Sequence, residues 1–246
     1  MDVIKIQYIF RFNETKHETV DLRLDANHLE ILDKPKGALP EWVRLHFNQC
    51  PHCPLDSATH PNCPVAECLA DVVTRFDKIL SYDKVDLEVI TSERRVILHT
   101  TAQRAIGSLL GVIMPASGCP HTAFFRPMVR FHLPLATRQE TIFRATGMYL
   151  LAQYHLKKQG RKADFELTGL AQIYQNLNVL NIHIAERLRS FTSTDSSINA
   201  VILLDVFTQT VPIVIEDHLE EIRYLFKPYL SDFYQTIIHD AVRNTD

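Results

Sequence analysis

The hydrophobic period of this chain changes along its length, and that change limits the folds open to it. In residues 3–12, Ile4, Ile6, Tyr8, Phe10 and Phe12 occupy alternate positions, and Val20, Leu22 and Leu24 then alternate with Thr19, Asp21, Arg23 and Asp25. A period of two puts one set of side chains on one face of a strand. With the polar Asn13-Glu14-Thr15-Lys16 between them, the two segments read as an antiparallel hairpin with one wet face. Val85, Leu87 and Val89, followed beyond Ser92-Glu93 by Val96 and Leu98, give a second hairpin. From Thr137 onward the period is helical throughout.

Helical spacing also interrupts the first half. Glu41 to Phe47, with Trp42 and Leu45 three apart, predicts a short helix, and apolar residues at 69, 72, 73, 76, 79 and 80 predict another over Leu69–Leu80. Thr101 is placed to cap a helix running to Met114, ended by Pro115 and Gly118. Thr137-Arg138-Gln139-Glu140 fits a capping box, opening a helix to about Lys158 that Gly160 stops. Leu167, Leu170, Ile173, Tyr174, Leu177, Leu180, Ile184 and Leu188 mark a long amphipathic helix. Asp195 can cap the next, to about Thr210, and two more are expected over 214–226 and 229–243. The fold class is therefore α+β: a small antiparallel sheet of two hairpins, packed on a C-terminal all-α bundle. Residues 1–101 form the β-rich region, with a cysteine-rich knuckle at 46–70, and residues 102–246 the helical region, the whole expected to pack as one unit.

Composition narrows the function. A hydrophobic fraction of 46% and a charged fraction of 22% are those of an ordinary globular protein. A formal net charge of −3 gives no electrostatic reason to expect nucleic acid or an anionic membrane as partner. Met1-Asp2-Val3-Ile4-Lys5 lacks the basic-then-apolar pattern of a signal peptide, and the apolar run Ala105 to Met114 is too short to span a bilayer. The expected location is the cytoplasm, with a protein or a small molecule as partner. Seven glycines include no Gly-x-Gly-x-x-Gly, no phosphate loop and no Gly-x-Ser-x-Gly elbow, so nucleotide-dependent and serine-hydrolase chemistry have no support.

Four of the five cysteines fall within nineteen residues: Cys50-Pro51-His52-Cys53, nine residues, Cys63, four residues, Cys68. Zinc takes four ligands in a tetrahedron and favours thiolate in structural sites. The turn inside Cys-x-x-Cys brings both sulfurs to one side, and Cys63 and Cys68 can close the site from the other. Proline after Cys50, Cys53 and Cys63 holds each cysteine extended, so a metal would be the core that orders the knuckle. The expectation is a structural zinc ion on Cys50, Cys53, Cys63 and Cys68, with His52, His60 or Asp56 able to replace one cysteine. A redox reading competes, because Cys-Pro-His-Cys is the dipeptide arrangement of strongly oxidising thioredoxin-like proteins. Against it, Pro54 stands where the helix of such a site would run. A third possibility is a set of idle reduced thiols.

Other residues carry candidate chemistry. Cys119 and His121, in Ser117-Gly118-Cys119-Pro120-His121, could supply a nucleophile or an extra ligand folded back on the knuckle. With His132 and Glu140 they define the alternative function, a metal- or thiol-dependent enzyme. Glu140 has a competing explanation in the capping box, and a buried Cys119 would simply act as a small hydrophobe. Arg126, Arg130, Arg138, Arg144 and His132 could form an anion pocket, or the arginines could pair with carboxylates between layers. His183-x-x-Glu186 puts two ligand types on one helix face, but in the reverse order to the di-iron motif and unpartnered.

Cys50-Pro51-His52-Cys53-Pro54-Leu55, Ser108-Leu109-Leu110-Gly111, Ser117-Gly118-Cys119-Pro120, Arg126-Pro127-Met128 and Phe131-His132-Leu133-Pro134, continued by Glu140-Thr141 and Tyr149-Leu150-Leu151-Ala152-Gln153-Tyr154, resemble a bacterial family of uncharacterised proteins over most of the chain. The resemblance implies a bacterial cytosolic protein folded as a single unit. It implies no chemistry.

Overall fold

The computed structural model describes residues 2–35, 37–191, 198–199, 201, 215–232 and 234. Strands β1 (Val3–Arg11) and β2 (His17–Asp25) form the first hairpin, β3 (Lys84–Ile90) and β4 (Arg95–Thr101) the second. The sheet order is β2-β1-β3-β4 and all pairs are antiparallel, so the two hairpins meet along β1 and β3, with Tyr8 opposite Val89. The period of two decides which face is covered: Ile6, Tyr8, Phe10, Val20, Leu22, Leu24, Val85, Leu87 and Val89 are all buried. The α+β architecture follows.

Two helices cover that face. Helix α1 (Pro64–Phe76) buries Val65, Leu69, Val72, Val73 and Phe76 at helical spacing, and its Phe76 ring meets Phe10 edge-on at 4.7 Å. It starts earlier than its periodicity from Leu69 suggests, because Cys63 is the N-cap and Pro64 opens the first turn, where a missing N–H costs nothing. Helix α2 (Ala102–Ala116) buries Ile106, Leu109, Leu110 and Ile113. It runs through Pro115 instead of stopping at Met114.

Helices α3 (Arg126–Arg130), α4 (Arg138–Lys158), α5 (Thr168–Arg189) and α6 (Ile215–Ile222) follow. The capping box forms as the sequence indicates: Glu140 donates its backbone N–H to the Thr137 hydroxyl, and its carboxylate accepts the Thr137 N–H at 2.7 Å. A second apolar cluster, built on Phe125, Ala145, Tyr149, Leu170 and Tyr174, sits between α3, α4 and α5. Helix α5 joins the two halves, since its Leu180, Ile184 and Leu188 belong to the core beneath the sheet. The helices expected over 195–210 and 229–243 fall largely outside the described residues, whereas the segment from 214 contains α6. Among the described residues no helix is long and apolar enough to cross a membrane.

Candidate metal centre

The knuckle is a loop closed on itself. Val43 O accepts from Cys63 N at 2.8 Å and Pro61 O from Leu45 N at 2.9 Å, which returns the chain beside its own entry. Cys53 N–H donates to Cys50 O at 3.0 Å, closing a turn over Cys50-Pro51-His52-Cys53. Cys63, as N-cap of α1, sits where the free N–H groups of a helix favour negative charge. The fifth cysteine reaches the same place from the end of α2. Gly118, at φ +96°, takes the left-handed turn that an L side chain would resist, and Ser117 Oγ accepts from Cys119 N. His121 Nε2 then donates to His52 O at 2.9 Å, and the two imidazole rings lie 4.0 Å apart.

All five cysteines are free thiols. Burial first, then the neighbouring Cys63, Cys119 and Cys53, pushes the Cys50 thiol up to about 12. Cys119 is raised to about 11 by burial and by Cys63, against the backbone N–H of His121. Burial also raises Cys63, against Arg187 and the N–H groups of Ala66 and Val65. Cys50 thus lies near enough to Cys63, Cys119 and Cys53 to feel their charge as thiolates. Cys68 is placed differently. It lies on the buried stripe of α1 between Val65 and Val72, raised to about 12 by burial, with Lys34, Glu67 and Cys63 as its charged neighbours.

One face of α5 grips the knuckle. His52 Nε2 donates to Asn176 O at 3.1 Å, His183 Nδ1 meets Asn48 Oδ1 at 2.9 Å, and Asn48 Nδ2 donates to Glu186 at 2.6 Å. His183 and Glu186 therefore fasten the left-handed Asn48 (φ +46°) instead of holding metal. Arg187 does most. It is 1% exposed, and its guanidinium donates to Trp42 O, Arg44 O and Leu45 O at 2.7, 2.8 and 3.0 Å. No carboxylate among the described residues pairs with it, and its Nε–H is buried without an acceptor. Burial acts to lower its pKa while Cys63, Cys50 and Cys53 act to raise it. The cysteine spacing does not point to Arg187, whose sequence signal is that it continues the apolar positions 177, 180 and 184 at helical spacing.

As they stand, no three His, Cys, Asp or Glu side chains among the described residues are disposed to hold a metal ion. The donor set nonetheless fits zinc in kind: four thiols, and a His52 ring whose Nε2–H is engaged and whose buried Nδ1 has no partner. His60 and Asp56 are exposed and occupied with their own turn, Asp56 accepting from Ala58 N and His60 meeting Thr59. The redox arrangement lacks its helix: Cys50 precedes a turn, and its thiol is raised where an activated one would be lowered.

The four residues of the enzyme reading are not joined. Cys119 and His121 belong to the knuckle, Glu140 to the cap, and His132 bonds the Tyr8 hydroxyl on the far side of α2. Among the arginines, Arg126, Arg130 and Arg138 pair with Glu30, Glu93 and Glu221. Arg144 alone of that group forms no such ion pair among the described residues, although the charge of Glu140 acts on it.

No curated protein and no solved structure matches the chain. One family model matches residues 6–227, nearly the whole chain, and spans both hairpins, the knuckle and the described helices up to Phe226. The chain belongs to that family, described as a domain of unknown function, DUF6901.

Proposed function

We propose that this protein is a cytoplasmic zinc-binding module in which Cys50, Cys53, Cys63 and Cys119 hold one structural zinc ion. The observation that carries the reading is Arg187, a buried cation whose charged neighbours are thiols. A guanidinium withdrawn from water needs a counter-charge, and a zinc ion on four thiolates is a net dianion. It would also give the unpaired Arg187 Nε–H a sulfur acceptor. Thiols crowded by their neighbours ionise readily only around a cation. Four protein ligands leave no open position, so the metal's role is to fix the knuckle against α5, and the module serves a protein or small-molecule partner. Free thiols suit a reducing compartment.

Elemental analysis of protein purified under reducing conditions tests this. About one zinc per chain is expected, lost in Cys63→Ser and Cys119→Ser and kept in Cys68→Ser. Loss in Cys68→Ser with retention in Cys119→Ser would restore the set that sequence spacing suggests. Absence of metal, with thiols that stay freely titratable in added zinc, would end the metal reading.

A further inference from the structure

A cavity of 260 Å³ opens between α2, α3, α4 and α5. Its walls are apolar, from Leu110, Met114, Phe125, Met128, Leu135 and Leu177, and its polar lining includes two guanidiniums, Arg104 and Arg144, but no aspartate or glutamate among the described residues. Arg144 Nη2 donates to Met128 O and Phe131 O, both at 2.9 Å, which fixes the head group at the wall. Its Nε and Nη1 have no hydrogen-bond partner among the described residues. Glu140, one turn earlier on α4, is held by the cap. A planar fork with free donors facing an apolar chamber is matched by a carboxylate on an apolar body.

We infer that this cavity binds a small amphipathic monocarboxylate, its head group on Arg144 and its apolar body between α2 and α5. Burial lowers the Arg144 pKa, against Glu140 and Tyr174, which act to raise it. His132, at the same wall and bonded to Tyr8, stays neutral and contributes shape and not charge. Gly111 also borders the cavity, and a Cβ built there meets nothing within 4 Å. A larger side chain at that position therefore has room to start at the cavity border.

Thermal shift and calorimetric titration at neutral pH with octanoate, 1-octanol and octylamine test the inference. Octanoate should bind and raise the melting temperature, with the uncharged and cationic analogues at least tenfold weaker. Arg144→Met should lose at least tenfold in octanoate affinity. Gly111→Leu should abolish binding while the protein folds normally, and this variant carries the test if Arg144→Met does not fold. No octanoate binding, equal binding of octanol, or unchanged binding in Gly111→Leu would each overturn the inference.

Discussion

Replacing Arg187 by methionine is expected to cost the fold about 3 kcal/mol, measured with a chelator present so that any metal contributes nothing. Methionine keeps much of the volume, so the loss comes from two buried carbonyls, on Trp42 and Leu45, left without donors, while the Arg44 carbonyl keeps the Phe47 N–H. Each such orphan costs about 1–3 kcal/mol, and release of the guanidinium's own desolvation penalty offsets part of the sum. Arg187→Lys should recover less than half, because an ammonium on a single stem cannot reach three carbonyls as a fork does. Urea midpoints at an unchanged m-value provide the measurement. A loss below about 1 kcal/mol would mean that water replaces the guanidinium and that the knuckle is not anchored through it.

The second large effect is acid sensitivity through His132. Burial first, then the charge of Arg144, takes its pKa down to about 3. The unfolded chain takes up that proton near pH 6.5. Between the two values the unfolded state holds the extra proton, so stability is complete above about pH 6.5 and falls as the solution is acidified toward pH 3. By pH 5 the loss should reach about 2 kcal/mol. Carboxylates held low by their partners, such as Glu140 in the cap and Asp164, lose their share further down. His52, lowered by burial and by His121, works in the same direction, so the comparison must be with His132→Gln. That variant should flatten the pH 7 to pH 5 dependence by about 2 kcal/mol. An unchanged slope would show that the ring is hydrated in the folded state.

Period and capping chemistry carried most of the fold. The strand faces of Ile6-Tyr8-Phe10 and Val85-Leu87-Val89, the Thr137–Glu140 box and the long α5 all follow from local rules that tertiary context did not override. The start of α1 is legible in Cys63-Pro64, because proline holds the cysteine before it extended and equally opens a helix. Cys68, which the spacing offers as a ligand, is then a helical residue. On the helix it lies on the same stripe as Val65 and Val72. Cys119 could be suspected of folding back, yet its approach depends on how α2 crosses the sheet, which no spacing encodes. Arg187 was hidden by the habit of assigning charge to solvent. An arginine in register with Leu177, Leu180 and Ile184 is a buried cation in waiting, and its counter-charge is worth seeking. The cavity beside Arg144 is a property of four helices together and has no sequence signature.

The meeting of the two hairpins along β1 and β3 has a kinetic consequence. Tyr8 and Val89 are neighbours in space but about eighty residues apart in the chain, and Tyr8 reaches further, to Ser108 and His132. During synthesis β1 and β2 must therefore wait as a lone hairpin, which is at best marginally stable in water, until β3 has been made. The grip of α5 on Trp42, Asn48 and His52 comes later still. Closure of such long loops precedes the contacts that reward it, so refolding should be slow for a chain of this size, and the half-made sheet, with an open β1 edge, is the species that chaperones would meet.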